Sequence, residues 1–354
     1  MNKQWKDLFE ALVNAPSPSG FEQPAQEVYR NYVKPFADEV KTDVHGNAIA
    51  LKKGTGNLRF MVVGHADEIG LMIHYIEDNG FLRFAAIGGV DVSLLPGTRV
   101  NIYHQGTMLR GVIGKKPIHL LTPDERTKAA KLDDLFIDIG AKDKEDALTK
   151  VSLGDYATFS PGMEMLNDHL VTTKATDNKV GVLIAAALQQ ELKDQTIAAN
   201  LYSVSSVQEE IGLRGAITSA FGIDPQVGIA IDVTHATDYP TINKAKYGDI
   251  KCGEGPVIAV GANINPMVFT LLKEAADKAG VKYQIEAAPR GTGTDANAIQ
   301  TTRAGVAAGL ISIPCRYMHT QNEVVSLNDV EGAVKIIAQF VRMIDDSTDF
   351  IPSV

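Results

Sequence analysis

The chain has 354 residues, 45% of them hydrophobic and 22% charged, with a formal net charge of −9. That length is more than one hydrophobic core usually organises, and the composition excludes a disordered chain, so one large domain with a smaller companion is expected. The acidic balance, without a Lys/Arg run or a basic aromatic face, excludes nucleic acid as a partner.

The N-terminal stretch MNKQWKDLFEALVNAPSPSGFEQ alternates apolar and charged residues at helical spacing and carries no continuous apolar run. It therefore does not read as a signal peptide, and nowhere do eighteen apolar residues run together, so no membrane span and a cytoplasmic location are expected. Residues 4–15 and 22–35 read as amphipathic helices, the first with Trp5, Leu8, Phe9 and Leu12 on one face, separated by Pro16, Pro18 and Gly20. Strands follow at about 37–42, 47–52 and 58–64. The last is the apolar run LRFMVVGH, whose β-branched content suits a sheet covered on both faces. Cys252 and Cys315, the only cysteines, form no CxxC and read as incidental thiols.

From about 73 to 161 short segments such as GFLRFAAIGG, GTRVNIYHQ and GTMLRGVIG recur between Gly, Pro and charged turns, the texture of a small barrel or sandwich. One acidic helix, PDERTKAAKLDD, is expected to interrupt it. After 162 the chain alternates helix 178–192, strand 197–207, helix 212–221, strand 226–233, helix 265–279, strand 305–313 and helix 328–345. The fold class expected is therefore α/β. A mixed-sheet α/β/α catalytic domain occupies 1–72 and 162–354, and an all-β domain is inserted at 73–161.

Five metal-type residues stand in separate segments, mostly at strand ends: His65 in GHADEIG, Asp177 in ATDNKVG, Glu210 in SVQEEIG, Asp232 in AIDVTHATD and His319 in RYMHTQNE. Each alone has an ordinary explanation, Asp177 for instance as a helix N-terminal carboxylate. As a set, two His, two Asp and one Glu supply the N and O donors that two divalent ions about 3.5–4 Å apart require, including one carboxylate able to bridge. Asp67 lies two residues from His65 and can orient it by its side chain or backbone. Glu209 and Glu210 are adjacent carboxylates after an apolar strand. Neighbours on extended backbone point oppositely, so one can ligate while the other faces the reacting water, and either order fits. His235 and Asp238 stand nearby as decoys. Gly291–Asp295 in PRGTGTDAN lacks the strand geometry and the Lys of a nucleotide loop, so Gly293, Thr294 and Asp295 are read as a substrate loop.

The order HxD, TDN, EE, D and H resembles the co-catalytic metallo-exopeptidases, specifically the TET or deblocking aminopeptidases, some of which carry glutamyl or leucyl aminopeptidase names and others an endoglucanase label. The likeness runs over nearly the whole chain, from PSPSGFE through GHADEIG, QEEIGLRGA and GTDA to the late His. It implies one metal on His65, Asp177 and Asp232, a second on Asp177, Glu210 and His319, Glu209 as general base, Asp67 as partner of His65, and a cis peptide after Asp177. It further implies zinc or cobalt, cytoplasmic enzymes, and dimers joined through the β insertion into hollow tetrahedral dodecamers. ATDN and Thr292 depart from the usual family pattern without removing a ligand.

The reaction expected is removal of the first residue of peptides with a free N-terminus, Glu209 shuttling a proton from water to the leaving amine. A related deacylase or carboxypeptidase could use the same cradle. A glycoside hydrolase built on Glu209 and Glu210, or a scaffold with structural metals, are the remaining alternatives.

Overall fold

The computed structural model describes residues 1–160 and 162–352. Helices α1 (Lys3–Asn14) and α2 (Gln23–Val33) open the chain, α1 capped by the Asn2 side chain. Their buried faces, Trp5, Leu8, Phe9, Leu12 and Tyr29 among them, join the main core. Strands β1 (Glu39–Thr42), β2 (Ala48–Lys52) and β3 (Arg59–His65) follow.

The chain then leaves the main sheet for six antiparallel strands: β4 (Gly70–Ile76), β5 (Leu82–Ile87), β6 (Arg99–His104), β7 (Thr107–Gly114), β8 (Phe136–Asp138) and β9 (Tyr156–Phe159). They close into a barrel in the order β4-β5-β8-β7-β6-β9, around a core of its own that includes Leu71, Ile73, Leu82, Val100, Ile102 and Ile137. Residue 161, where the sequence places the end of the insertion, lies outside the described residues.

Between β7 and β8 the structure corrects the sequence reading. The expected helix PDERTKAAKLDD is reduced to the single turn α3 (Pro123–Arg126), held by a Thr122–Glu125 capping box, and a separate 3-10 turn at Leu132–Asp134, and no residue of the segment is buried. A cap starts a helix, but without an apolar face to bury nothing propagates it. A second short helix, α4 (Lys144–Leu148), precedes β9.

The return to the main sheet runs β10 (Glu164–Met165), β11 (Leu170–Thr173), α5 (Thr176–Leu192), β12 (Asn200–Ser206), α6 (Arg214–Ile223), β13 (Val227–His235), α7 (Lys244–Tyr247), β14 (Val257–Gly261), α8 (Pro266–Ala279), β15 (Gln284–Ala288), α9 (Asp295–Gln300), β16 (Ala307–Arg316), β17 (Glu323–Ser326) and α10 (Leu327–Met343). The sheet has eleven strands, nine of them in the order β1-β2-β12-β3-β13-β16-β17-β11-β10, with β14 joining β16 and β15 joining β14. Strands β12, β3, β13 and β16 are parallel, so their carboxyl ends meet at one edge, the place where sites form in open α/β sheets.

Helix α5 lies buried nearly end to end, as its all-round apolar sequence VGVLIAAAL requires. It packs closely on β3 because both backbones are bare at the crossing: a Cβ on Gly64 would stand 2.3 Å from the carbonyl carbon of Gly181. That approach brings the start of α5, with Asp177, beside the end of β3, with His65.

Candidate metal centre

All five residues read from the sequence as ligands converge at the carboxyl edge of the parallel strands. His65 closes β3, Asp232 lies towards the carboxyl end of β13 opposite Ser312, and Glu209 and Glu210 follow β12 by three and four residues. His319 follows β16, and Asp177 stands at the head of α5, where the Asp177–Asn178 peptide is cis as the resemblance implies. Non-glycine residues in the left-handed region, Ala175, Gln208, Leu213, Tyr317 and His319 itself, flank these donors. Such backbone costs of order 1–3 kcal/mol per residue and persists where surrounding contacts over-determine it.

The donors form two groups, one of His65, Glu209 and Asp232 and the other of Asp177, Glu210 and His319, the ligand atoms of each lying within 4.8 Å of one another. Asp177 connects them: Oδ1 is 3.2 Å from His65 Nε2 and Oδ2 is 3.3 Å from His319 Nε2. His65 Nε2 is also 3.7 Å from Glu209 and 3.9 Å from Asp232, while His319 Nε2 is 3.6 Å from Glu210.

The electrostatics of this cluster are those of a cation site. Burial and the neighbouring acids push Glu209 up to about 10, and push Glu210 and Asp232 each up to about 8. Burial also works to raise Asp177, yet hydrogen bonds to His319 and His65 hold it well below the carboxylate range. The hydrogen bond to Asp177, with the nearby Glu210 charge, lifts His319 to about 9. Four acids crowded against two imidazoles cannot all be ionised without cations among them, and an N/O donor set of this kind fits two divalent ions.

Two further carboxylates fix the donors in place. Asp67 accepts from the Glu209 N–H (2.9 Å), the Glu210 N–H (3.0 Å) and Ser19 Oγ (2.7 Å), with its Oδ1 3.4 Å from His65 Nδ1. His65 Nδ1 lies closer still, at 3.1 Å, to the Asp67 carbonyl oxygen, so both routes by which Asp67 can orient the ring are present. Glu323 does the same from β17, accepting from Thr176 Oγ1 (2.7 Å), the Asp177 N–H (3.0 Å) and the His319 N–H (2.8 Å). The sequence reading missed Glu323, whose signal is an acid at the head of the buried run EVVS. It also took Pro16–Gly20 as a plain helix separator. Ser19 in fact supports Asp67, and the Ser17 N–H donates to Glu68 at 3.0 Å. Behind them Lys174 pairs with Glu68, and Lys179 donates to Ser17 Oγ and the Ala66 carbonyl, all of these side chains buried.

The barrel reaches the site through Gly88 and Gly89, just past β5. The Gly89 carbonyl lies 3.0 Å from His319 Nδ1, and a Cβ on Gly89 would stand 2.8 Å from the same nitrogen.

A cavity of about 790 Å³ opens over the donors, ample for a peptide end. Gly293 and Thr294 line it, together with Gly291 and Thr292. Asp295 does not: it is 2% exposed beneath the loop, accepting from Ser206 Oγ at 2.8 Å. Of the two decoys, His235 lines the cavity, and Asp238 is held by Arg316 in a bidentate pair.

The profile of the M42 glutamyl aminopeptidase family matches residues 46–336. A lysyl aminopeptidase of Pyrococcus furiosus is 37% identical over 98% of this chain and 99% of its own length. Among solved structures, a TET aminopeptidase from the marine sediment archaeon Thaumarchaeota archaeon SCGC AB-539-E09 superposes with a TM-score of 0.93 at 32% identity, covering 97% of each chain. The TET1 peptidase of Pyrococcus horikoshii, described as assembling into a tetrahedron or a large octahedral shell, gives 0.86 at 34% identity, over 96% of this chain and all of that one.

Proposed function

This chain belongs to the M42 glutamyl aminopeptidase family and is a metallo-aminopeptidase, and from that premise we propose which residues carry the reaction and on what substrates. Peptides with a free N-terminus enter the cavity and lose their first residue. His65, Asp177 and Asp232 hold one divalent ion, and Asp177, Glu210 and His319 hold the other. The observation that carries this reading is the division of the two Asp177 oxygens between the two imidazoles. Zinc or cobalt suits the mixture of imidazole and carboxylate. When bound, the ions supply a Lewis acid for the scissile carbonyl and make water a nucleophile near neutral pH.

The protein's own groups do the rest. Glu209, the most strongly raised carboxylate of the cluster, takes a proton from the attacking water and returns it to the leaving amine. Asp67 positions His65 through the imidazole and both glutamates through their backbone N–H groups. Glu323 positions Asp177 and His319. Gly293 and Thr294 shape the wall along which the substrate lies, and Asp295 supports that loop from beneath through Ser206. Glu209 and Glu210 each turn into one of the two donor groups, beside His65 and His319 respectively, unlike the carboxylates of a glycosidase, which flank the bond they cleave.

The assembly follows the same reasoning. We take the chain to form dimers that build a tetrahedral dodecamer, with the barrel as the assembly domain. Support comes from the shell-forming relative and from the separate core of the barrel. No helix among the described residues is long and apolar enough to cross a membrane, which accords with work in the cytoplasm.

Glu209→Gln tests the assignment. It should retain two ions per subunit by elemental analysis while turnover falls roughly 10²- to 10⁴-fold, the usual contribution of a positioned acid/base. Near-wild-type turnover in a fully loaded variant would remove Glu209 from the mechanism.

A further inference from the structure

We propose that Glu286 makes this site selective for a basic first residue, lysine or arginine. The inference rests on the aminopeptidase reading above. Beyond Asp232 the cavity continues along a wall that includes Thr234, Ala259, Glu286, Leu310, Ser312 and Met318. Thr234 is two residues past Asp232 on β13, so its side chain leaves the same face of the sheet, roughly 6–7 Å along the strand from Asp232. Its Oγ1 donates to Glu286 Oε2 at 2.8 Å, which fixes the carboxylate there.

Thr234 is the only hydrogen-bond partner of the Glu286 side chain among the described residues, and no cationic side chain there lies within ion-pair distance of it. Oε1 is left without a donor in a half-buried place. The other carboxylates lining the cavity, Asp177, Glu209, Glu210 and Asp232, all belong to the two candidate donor groups, whose charge two divalent ions would balance when bound. Glu286 is thus the surplus negative charge of the loaded cavity. Arg290 also lines the cavity, but it is exposed beyond the end of β15, where solvent and salt screen it most.

The shape agrees with the charge. Ala259, Leu310 and Met318 line the same cavity as Glu286 and offer an apolar path for a methylene stem. An ammonium or guanidinium would complete the hydrogen bonds of Glu286. An apolar first residue would desolvate the carboxylate without replacing them, and an acidic one would meet a like charge.

The experiment compares kcat/KM on p-nitroanilides of lysine, arginine, norleucine and glutamate for wild type, Glu286→Gln and Glu286→Lys, each loaded with cobalt. Ratios between substrates on one enzyme cancel any inactive fraction, so partial misfolding cannot imitate the result. A charge-assisted hydrogen bond predicts that wild type favours lysine over norleucine about 10- to 100-fold and that Glu286→Gln abolishes most of that ratio. Glu286→Lys should then favour glutamate over norleucine. Calorimetry gives a readout without turnover: lysinamide should bind wild type more tightly than norleucinamide, and Glu286→Gln should lose that difference. A lysine-to-norleucine ratio near one in wild type, or one unchanged in Glu286→Gln, overturns the proposal while leaving the aminopeptidase reading intact. Failure to cleave any of the four amides would instead overturn the reading on which it rests.

Discussion

Gly64→Ala should dismantle the metal centre without touching a ligand. A Cβ at Gly64 would lie 2.3 Å from the carbonyl carbon of Gly181 and 2.6 Å from its Cα, against the 3.4 Å at which ordinary van der Waals contact begins. The shortfall to the carbonyl carbon exceeds 1 Å, and both neighbouring atoms are backbone of the buried helix α5, so no flexible side chain can give way. Strand β3 and helix α5 must separate by on the order of 1 Å, at a cost of about 1–3 kcal/mol. Gly64 precedes His65 and Gly181 lies four residues after Asp177, so the separation falls directly on the 3.2 Å approach of Asp177 Oδ1 to His65 Nε2. A displacement of that size costs about 10²-fold in rate. The assay is metal per subunit after dialysis together with kcat on a free-amine peptide, with circular dichroism to confirm a folded chain. Gly222→Ala serves as the control, since a Cβ there meets nothing within 4 Å. A Gly64→Ala protein with full metal content and a rate within about threefold of wild type would refute the reasoning.

Further predictions concern charge. In the metal-free protein Glu209, Glu210 and Asp232 are pushed up to about 10, 8 and 8, so between about pH 5 and 8 the folded state holds more protons than the unfolded chain. Their contribution is complete below the unfolded carboxylate pKa and is lost as pH rises through the folded values. His319, raised to about 9, adds loss of the same sign above about pH 6.5, whereas the lowered Asp177 is already fully ionised across this window. The Tm of chelated protein should therefore fall from pH 5.5 to 8.5 by differential scanning fluorimetry, and restoring zinc or cobalt should flatten the curve; an equal slope with and without metal would contradict this. Lys174→Met should destabilise by about 3–5 kcal/mol in urea unfolding, because it leaves the buried Glu68 carboxylate without its cation. Adding Glu68→Met should recover much of that loss, and a double variant no better than the single would show that the pair is not where the cost lies.

Four of the five candidate metal ligands were legible because each follows, or closes, a long apolar run that reads as a buried strand, so strand-end geometry could be read without knowing the strand order, whereas Asp177 was legible from the apolar helix it opens. Central helix α5 and the β texture of the barrel were legible for the same reason: their patterns are long and repetitive. What escaped was short or depended on distant partners. Glu323 sits on a four-residue strand, and its three donors come from residues up to 147 positions away. Glu286 lies on β15, whose sheet neighbours are β14 and, beyond it, β16, so nothing local marks it as facing Thr234. Lys174 and Lys179 look like ordinary solvated lysines in the sequence, and only the fold of PSPSG over GHADEIG buries them. The overextended helix at PDERTKAAKLDD failed in the opposite way, since its cap and composition are helical while no apolar face gives it anything to pack on.

The most direct test of the account is hydrolysis of a short peptide panel, free-amine beside N-acetylated, by chelated enzyme and again after zinc or cobalt is restored. The account predicts cleavage of the free-amine peptides alone, one residue at a time from the N-terminus, and only with metal present. Metal-restored cleavage of the acetylated peptides, or undiminished cleavage after complete chelation, would contradict it.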